Sequence, residues 1–253
     1  MDQSSVRQLA AGIWCWQRRP RGLRPDEFGV RTSYAITVGG ETLLVDPLVT
    51  GGDDPALEVL DDVAGDRVRI LISKPYHTRS AGLLWQRYRG ANARIYGHPE
   101  VATRLDDRSG FQPVTGARET GARETGPQET GPVEVGGVAR FHPLGRPPRN
   151  EQPIEIPALR VLVFGDSVVE TGHGELRVWE DPLDSDRRRR WWAEKYLPTL
   201  QTLAAVEPLH VLVTHGEPIM GDGAAALRRA LGRGPWQRPS VRRAGGGRGR
   251  CAS

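Results

Sequence analysis

Lysine is almost missing from this 253-residue chain: Lys74 and Lys195 are the only two, and arginine carries the rest of the positive charge. That bias alone says little about mechanism. Cysteine is equally scarce, with Cys15 and Cys251 near opposite ends, which argues against a disulfide framework and fits a reducing compartment. No apolar run approaches the roughly 18 residues that a bilayer span requires. The opening MDQSSVRQLAAGIW lacks the basic-then-apolar layout of a secretory signal, so the chain reads as a soluble, cytoplasmic protein with no membrane partner. Acidic residues disappear from the C-terminal stretch, where Arg238, Arg242, Arg243, Arg248 and Arg250 stand without an Asp or Glu. Those arginines account for the formal charge of +4 and the sequence pI of about 9.4. The remaining body is close to neutral, and a nucleic-acid function does not follow from the pI.

What is present alternates between strand and helix signals. Tyr34–Val38 and Thr42–Val45 are β-rich runs joined by Gly39-Gly40, a hairpin signature. A helix is expected over Pro55–Val63, a buried strand over Val68–Ser73, and a helix over Ser80–Tyr88 with Ser80 as N-cap. Ala93–Tyr96 reads as a strand and Pro99–Leu105 as a short helix. Strands resume at Val138–Phe141, Arg160–Phe164 and Leu209–Thr214. Trp191, Trp192, Tyr196, Leu200 and Leu203 recur at helical spacing and predict a helix over Asp186–Ala205, with a last helix at Ala224–Leu231. This order predicts an α/β domain in which two sheets lie between helices. In such a domain chemistry gathers at strand ends.

The domain is expected over residues 30–235, preceded by a partly packed N-terminal segment, 1–29, and followed by a disordered basic tail, 236–253. Within it, TGARE, TGARE, TGPQE and TGPVE repeat with a period of five. The units have little apolar surface to bury, so 113–135 reads as an exposed low-complexity insertion.

Three strand-end segments carry more information together than apart: ILISKPYHTRSAGLL at 70–84, LVFGDSVVE at 162–170 and VLVTHGEP at 211–218. Preceded by YAITVGGETLLVDP, they resemble the metallo-β-lactamase fold superfamily in order and spacing over roughly residues 30–220. The resemblance implies a four-layer αβ/βα sandwich. It also implies one or two zinc or iron ions on strand-end histidines and carboxylates, where a bound water ionises near neutral pH. Asp46 matches the Asp that ends the family's early hairpin. Asp166 and His215 match its bridging carboxylate and its last histidine.

The family's Thr-His-x-His-x-Asp-His motif is altered. With Ser73 aligned to its Thr, the ligand positions read Lys74, Tyr76, Thr78 and Arg79. His77 lies one residue off the second of them, and in a shifted register it is retained. The later Gly-His-x-x-Gly histidine is matched by Arg146, with His142 close by. A two-ion site is not expected. Asp166 and His215, with His77 or His142, would make at most one site for a single Zn or Fe ion; with most ligands replaced, a chain holding no metal is the leading expectation. Lys74, Arg79 and Arg146 cannot ligate while charged. They are expected near Asp166, offsetting its charge and favouring an anion.

Two functions remain open at this stage. One is a hydrolase acting on a small anionic ester, thioester or amide, with Asp166, His215 and His77 as catalytic residues. The other is a non-catalytic protein that binds an anionic small molecule or a protein partner through Lys74, Arg79 and Arg146. Arg187–Arg190 beside Trp191-Trp192 has the ingredients of a nucleic-acid surface. A solvated basic helix face with one inward tryptophan accounts for the same residues.

Overall fold

Alternation along single strands sets the layers. In β5 (Val68–Ile72), Val68, Ile70 and Ile72 join one apolar cluster while Leu71 joins another on the opposite face. The first cluster also holds Ala56, Leu57 and Leu60 of α1 (Ala56–Val63) and Ala81 and Leu84 of α2 (Ala81–Arg87). In β11 (Val161–Phe164) the pattern repeats. Leu162 and Phe164 face α3 (Asp186–Trp191), α4 (Leu197–Ala204) and α5 (Gly223–Gly232), whereas Val161 and Val163 meet Leu71 in the central cluster. A strand buried on both faces has no solvent side to mark with polar residues, so VLVF is apolar throughout and VRILI departs only at Arg69, which is buried against Glu41. The result is four layers: helices, sheet, sheet, helices.

This computed structural model describes residues 5–20, 29–115, 131–144, 150–179 and 183–237. The first sheet has seven strands in chain order: β1 (Arg7–Ala10), β2 (Ile13–Arg18), β3 (Arg31–Val38), β4 (Glu41–Val45), β5, β6 (Arg94–Gly97) and β7 (Phe111–Pro113). Its first four strands are antiparallel and β4 to β7 run parallel. The second sheet is ordered β14-β11-β10-β9-β8, with β8 (Val133–Val135), β9 (Ala139–Phe141), β10 (Ile154–Ile156) and β14 (His210–Val213). Within it only β11 and β14 are parallel neighbours. A small third sheet joins β12 (Val168–Glu170), β13 (Leu176–Trp179) and β15 (Pro235–Trp236).

The Gly39-Gly40 hairpin forms as its residues dictate. Both glycines take positive φ, 58° and 77°, and the register closes on Val38 opposite Glu41. The segment 1–29, read from sequence without any element, supplies β1 and β2. Ser80 precedes α2 but does not cap it; its hydroxyl donates to Val49 O and accepts from Val49 N. The long C-terminal helix is interrupted by a wider π turn at Trp192–Tyr196, where Pro198 follows closely and cannot supply an N–H. The pentad repeat falls largely on 116–130, outside the described residues; so does the expected tail, 236–253, from 238 onward, while its first residue, Trp236, belongs to β15. No helix among the described residues is long and apolar enough to cross a membrane.

One buried ion pair fastens the first sheet to α1. Arg18 Nε and Nη2 donate to Asp54 Oδ2 and Oδ1 at 2.8 and 2.5 Å, and Asp54 also accepts from Thr50 N and Ala56 N. Burial acts against the charged carboxylate, but Arg18 and these amides outweigh it and hold the Asp54 pKa well below the usual range. Asp54→Asn removes the charge from the carboxylate that pairs with buried Arg18 and is expected to cost about 3–5 kcal/mol at neutral pH. Because the folded pKa is depressed, Asp54's contribution is complete above about pH 4 and is lost as pH falls through the folded value. Urea unfolding of wild type and variant should therefore converge on acidification.

Candidate active site

Four parallel strands end at one edge of the sandwich and deliver the site: β4 and β5 from the first sheet, β11 and β14 from the second. Asp46 follows β4, Ser73 and Lys74 follow β5, Asp166 follows β11, and His215 lies two residues beyond β14. Parallel pairing of β4 with β5 and of β11 with β14 puts the loops of each pair on one side of its sheet, and the contacts of Lys74 and His77 with Asp166 join the two pairs.

The turn after β5 decides which side chains enter. Lys74 is extended, Pro75 starts a tight three-residue turn, and His77 N donates to Lys74 O at 2.8 Å. Such a turn has three residues per revolution, so residues three apart share a side. Lys74 and His77 therefore both face Asp166, while Tyr76 stands 58% exposed outside. His77, and not Tyr76, is thus the side chain of this turn that joins the cluster.

His77 Nδ1 donates to Asp46 Oδ2 at 2.8 Å, which turns its Nε2 toward Asp166 Oδ1 at 3.4 Å. His215 Nε2 donates to the same Oδ1 at 2.9 Å, and the indole of Trp179 packs edge-on against its ring. The Lys74 ammonium takes the other oxygen, Asp166 Oδ2. Asp46 is itself fully buried and receives Ser73 N and the Ser73 hydroxyl. Both Asp46 and Arg79 hold positive φ, 44° and 35°, and Arg79 Nη1 donates to Asp46 O at 3.1 Å. Two strained non-glycine residues in contact mark a site that the surrounding fold over-determines.

Charges respond to this geometry. Burial would raise the Asp166 pKa, but His77 and His215 outweigh it and hold the carboxyl well below its usual range. Burial lowers His215 to about 4, against the pull of Asp166, so its imidazole is neutral at neutral pH. For His77, burial and Arg79 act downward, and the Asp46 and Asp166 carboxylates more than reverse them. Burial also lowers Arg79 to about 10, where it remains cationic, and its Nη2 is buried with no hydrogen-bond partner among the described residues.

Behind Asp166 sits a residue that sequence reading missed. Glu151, 3% exposed, accepts from the consecutive amides of Gly165, Asp166 and Ser167 at 2.8–3.0 Å and from the Ser167 hydroxyl at 2.6 Å. Its neighbour Gln152 donates its N–H to Ser73 O at 2.8 Å, joining the two halves of the site. Burial and the adjacent Asp166 charge push the Glu151 pKa up. Glu151 follows an irregular Arg/Pro stretch, so no periodicity announces it. On the far side, Gly216 takes φ 94° and a Cβ there would lie 2.6 Å from Glu170, so the turn that presents His215 requires glycine.

The other expected residues divide plainly. His142 is not brought to the cluster; its Nε2 meets Glu155 Oε2 at 2.8 Å. Arg146 lies outside the described residues. Among the described residues, His77, Asp166 and His215 form a group with one donor atom each within 4.8 Å of the others. Two imidazoles and one carboxylate are a donor set that suits zinc or iron, and the Asp46 bond to His77 Nδ1 is the second contact that ligating histidines commonly make. The residues fit a single ion. Among the described residues no second such group is present.

No family model matches the sequence, and no curated protein matches it in sequence. Solved structures do match in shape. A metallo-β-lactamase from Erythrobacter litoralis superposes with a TM-score of 0.54 at 16% identity, covering 91% of this chain and 92% of that one. A related enzyme of that organism, described in a mono-zinc form, gives 0.55 at 17% identity over 91% and 96%. A metallo-β-lactamase from Hirschia baltica gives 0.54 at 13% identity over 93% and 98%. The four-layer arrangement and these superpositions define one class: the chain has the metallo-β-lactamase fold.

Proposed function

We propose that the protein is a hydrolase that holds one divalent metal ion and acts on a small anionic ester, thioester or amide. The observation that carries this reading is the convergence of His77, Asp166 and His215 on one point, with His77 oriented by a buried Asp46. When bound, the ion would supply a water ionised near neutral pH and a Lewis acid for the carbonyl.

The chain's own residues do the rest. Asp46 holds the proton of His77 on Nδ1, leaving Nε2 for ligation. Lys74 neutralises the outer oxygen of Asp166, and with Arg79 it faces negative charge that develops on the substrate oxygen. Hydrolysis forms a bond from the water oxygen to the acyl carbon and breaks the bond to the leaving group, which departs with a proton. Arg146 belongs to the same proposal as a third cation.

Asp46→Asn tests the orienting role. It is expected to weaken zinc binding about 10–100-fold, as loss of such a partner commonly does, measured by competition with a chromophoric chelator. The reading as a whole is tested by hydrolysis of 4-nitrophenyl esters with and without added zinc. Activity should require the ion and be lost in His77→Ala and His215→Ala; equal rates in wild type and both variants would reject it.

The contact between Lys74 and Asp166 favours a second reading, in which the ammonium permanently replaces the ion and the site only binds an anion. Stabilisation by small anions in a chelator-treated protein that cannot take up zinc would select it.

A further inference from the structure

Outside the metal-ligand group, the same turn presents an aromatic ring that the hydrolase reading does not use. Tyr76 is 58% exposed, the largest exposure among the large hydrophobic side chains of the described residues. The Arg104 guanidinium lies over the ring at 3.8 Å from its centroid, and the Lys74 ammonium lies 5.7 Å from the same centroid while it contacts Asp166. One ring thus connects the reacting end of the site to a second cation. Arg104 ends the short turn Pro99–Arg104, and its guanidinium makes no hydrogen bond or ion pair with any other described residue. A guanidinium seated over an aromatic face has less freedom to lose on binding, and N–H groups that make no contact with the ring stay available to a ligand.

We propose that Tyr76 and Arg104 form a specificity element that receives a carboxylate at the non-reacting end of the substrate. Arg104 supplies the fork, Tyr76 holds the guanidinium in place, and the substrate lies between Arg104 and the Lys74–Asp166 pair. The chemistry selects a planar anion because the two parallel N–H groups of one guanidinium edge match the two oxygens of a carboxylate. This rests on the hydrolase reading for its substrate and adds to it where the substrate's charge is held. Neither residue ligates or touches the reacting bond, so both act through selectivity.

The test compares mono-4-nitrophenyl glutarate, which carries a carboxylate on its acyl chain, with uncharged 4-nitrophenyl acetate. Arg104→Ala is expected to lower the ratio of kcat/KM for the charged over the neutral ester about tenfold, with the loss in KM, the scale of one charge-assisted hydrogen bond. Tyr76→Ala should act in the same direction, and Arg104→Lys, which keeps charge without the fork, should recover only part of the ratio. An unchanged ratio in Arg104→Ala overturns the proposal. Should the wild type hydrolyse neither ester, the hydrolase reading fails, and the element is then judged by binding. Glutarate, and not the neutral glutaramide, should raise the thermal midpoint of wild type and fail to do so in Arg104→Ala. Equal responses to the two compounds, or an undiminished glutarate response in the variant, overturn it on that branch.

Discussion

Replacing Asp166 with alanine should destabilise the metal-free protein by about 3–5 kcal/mol, the cost of stripping a buried carboxylate from its counter-charges, and should abolish metal uptake as well. Three positively charged or donating groups meet this one side chain: Lys74 on Oδ2, and His77 and His215 on Oδ1. All three partners are buried. Without the carboxylate, Lys74 has no other ion-pair partner among the described residues, so the site keeps an uncompensated ammonium. Urea unfolding of chelator-treated wild type and variant measures the first effect, and chelator competition the second. A variant within about 1 kcal/mol of wild type would show that the cluster contributes little to the fold, as exposed pairs do.

Lys74→Met should separate stability from metal binding in opposite directions. Methionine fills the space of the lysine stem without the charge. In the metal-free protein Asp166 loses a partner, and a drop of about 2–4 kcal/mol is expected, near the range for breaking one side of a buried pair. Toward a divalent ion the same change removes a nearby positive charge, and affinity should rise by about tenfold or more, since charges about 4 Å apart near a protein surface interact by several kcal/mol before other terms offset them. Zinc should then restore the midpoint that the substitution lowers, by mass action. Falling stability together with falling zinc affinity would mean that Lys74 supports the ligand geometry and does not compete with the ion.

How much of this was legible beforehand differs residue by residue. The layers follow from short, mostly apolar runs such as VRILI and VLVF, whose every position is buried, and the resemblance placed them in the right order. Asp166 and His215 were readable through the resemblance, each matching a strand-end position of the family's pattern; a strand end beside a glycine would not by itself have marked them. His77 was ambiguous for a physical reason. Pro75 opens a three-residue turn that decides which side chain faces inward, and counting positions along a motif does not reveal that turn. Glu151 was invisible because its role is to accept three consecutive amides from a loop distant in sequence. The strands β1 and β2 escaped because β1 is only partly buried and has little alternation to read, while β12 and β13 are short and separated by a glycine-rich turn.

Lys74, one of only two lysines in the chain, gains its meaning only in three dimensions. As a replaced ligand it suggested a lost metal site. Paired with Asp166 on the oxygen that the two histidines do not use, it leaves a three-donor face intact. This is why a single-ion reading and a cationic site are compatible here.

The most direct test of the account is elemental analysis of the protein after equilibration with zinc and removal of unbound ion. One zinc per chain in the wild type, falling close to zero in His215→Ala, is the expected result. Two zinc ions per chain, or none in the wild type, would contradict it.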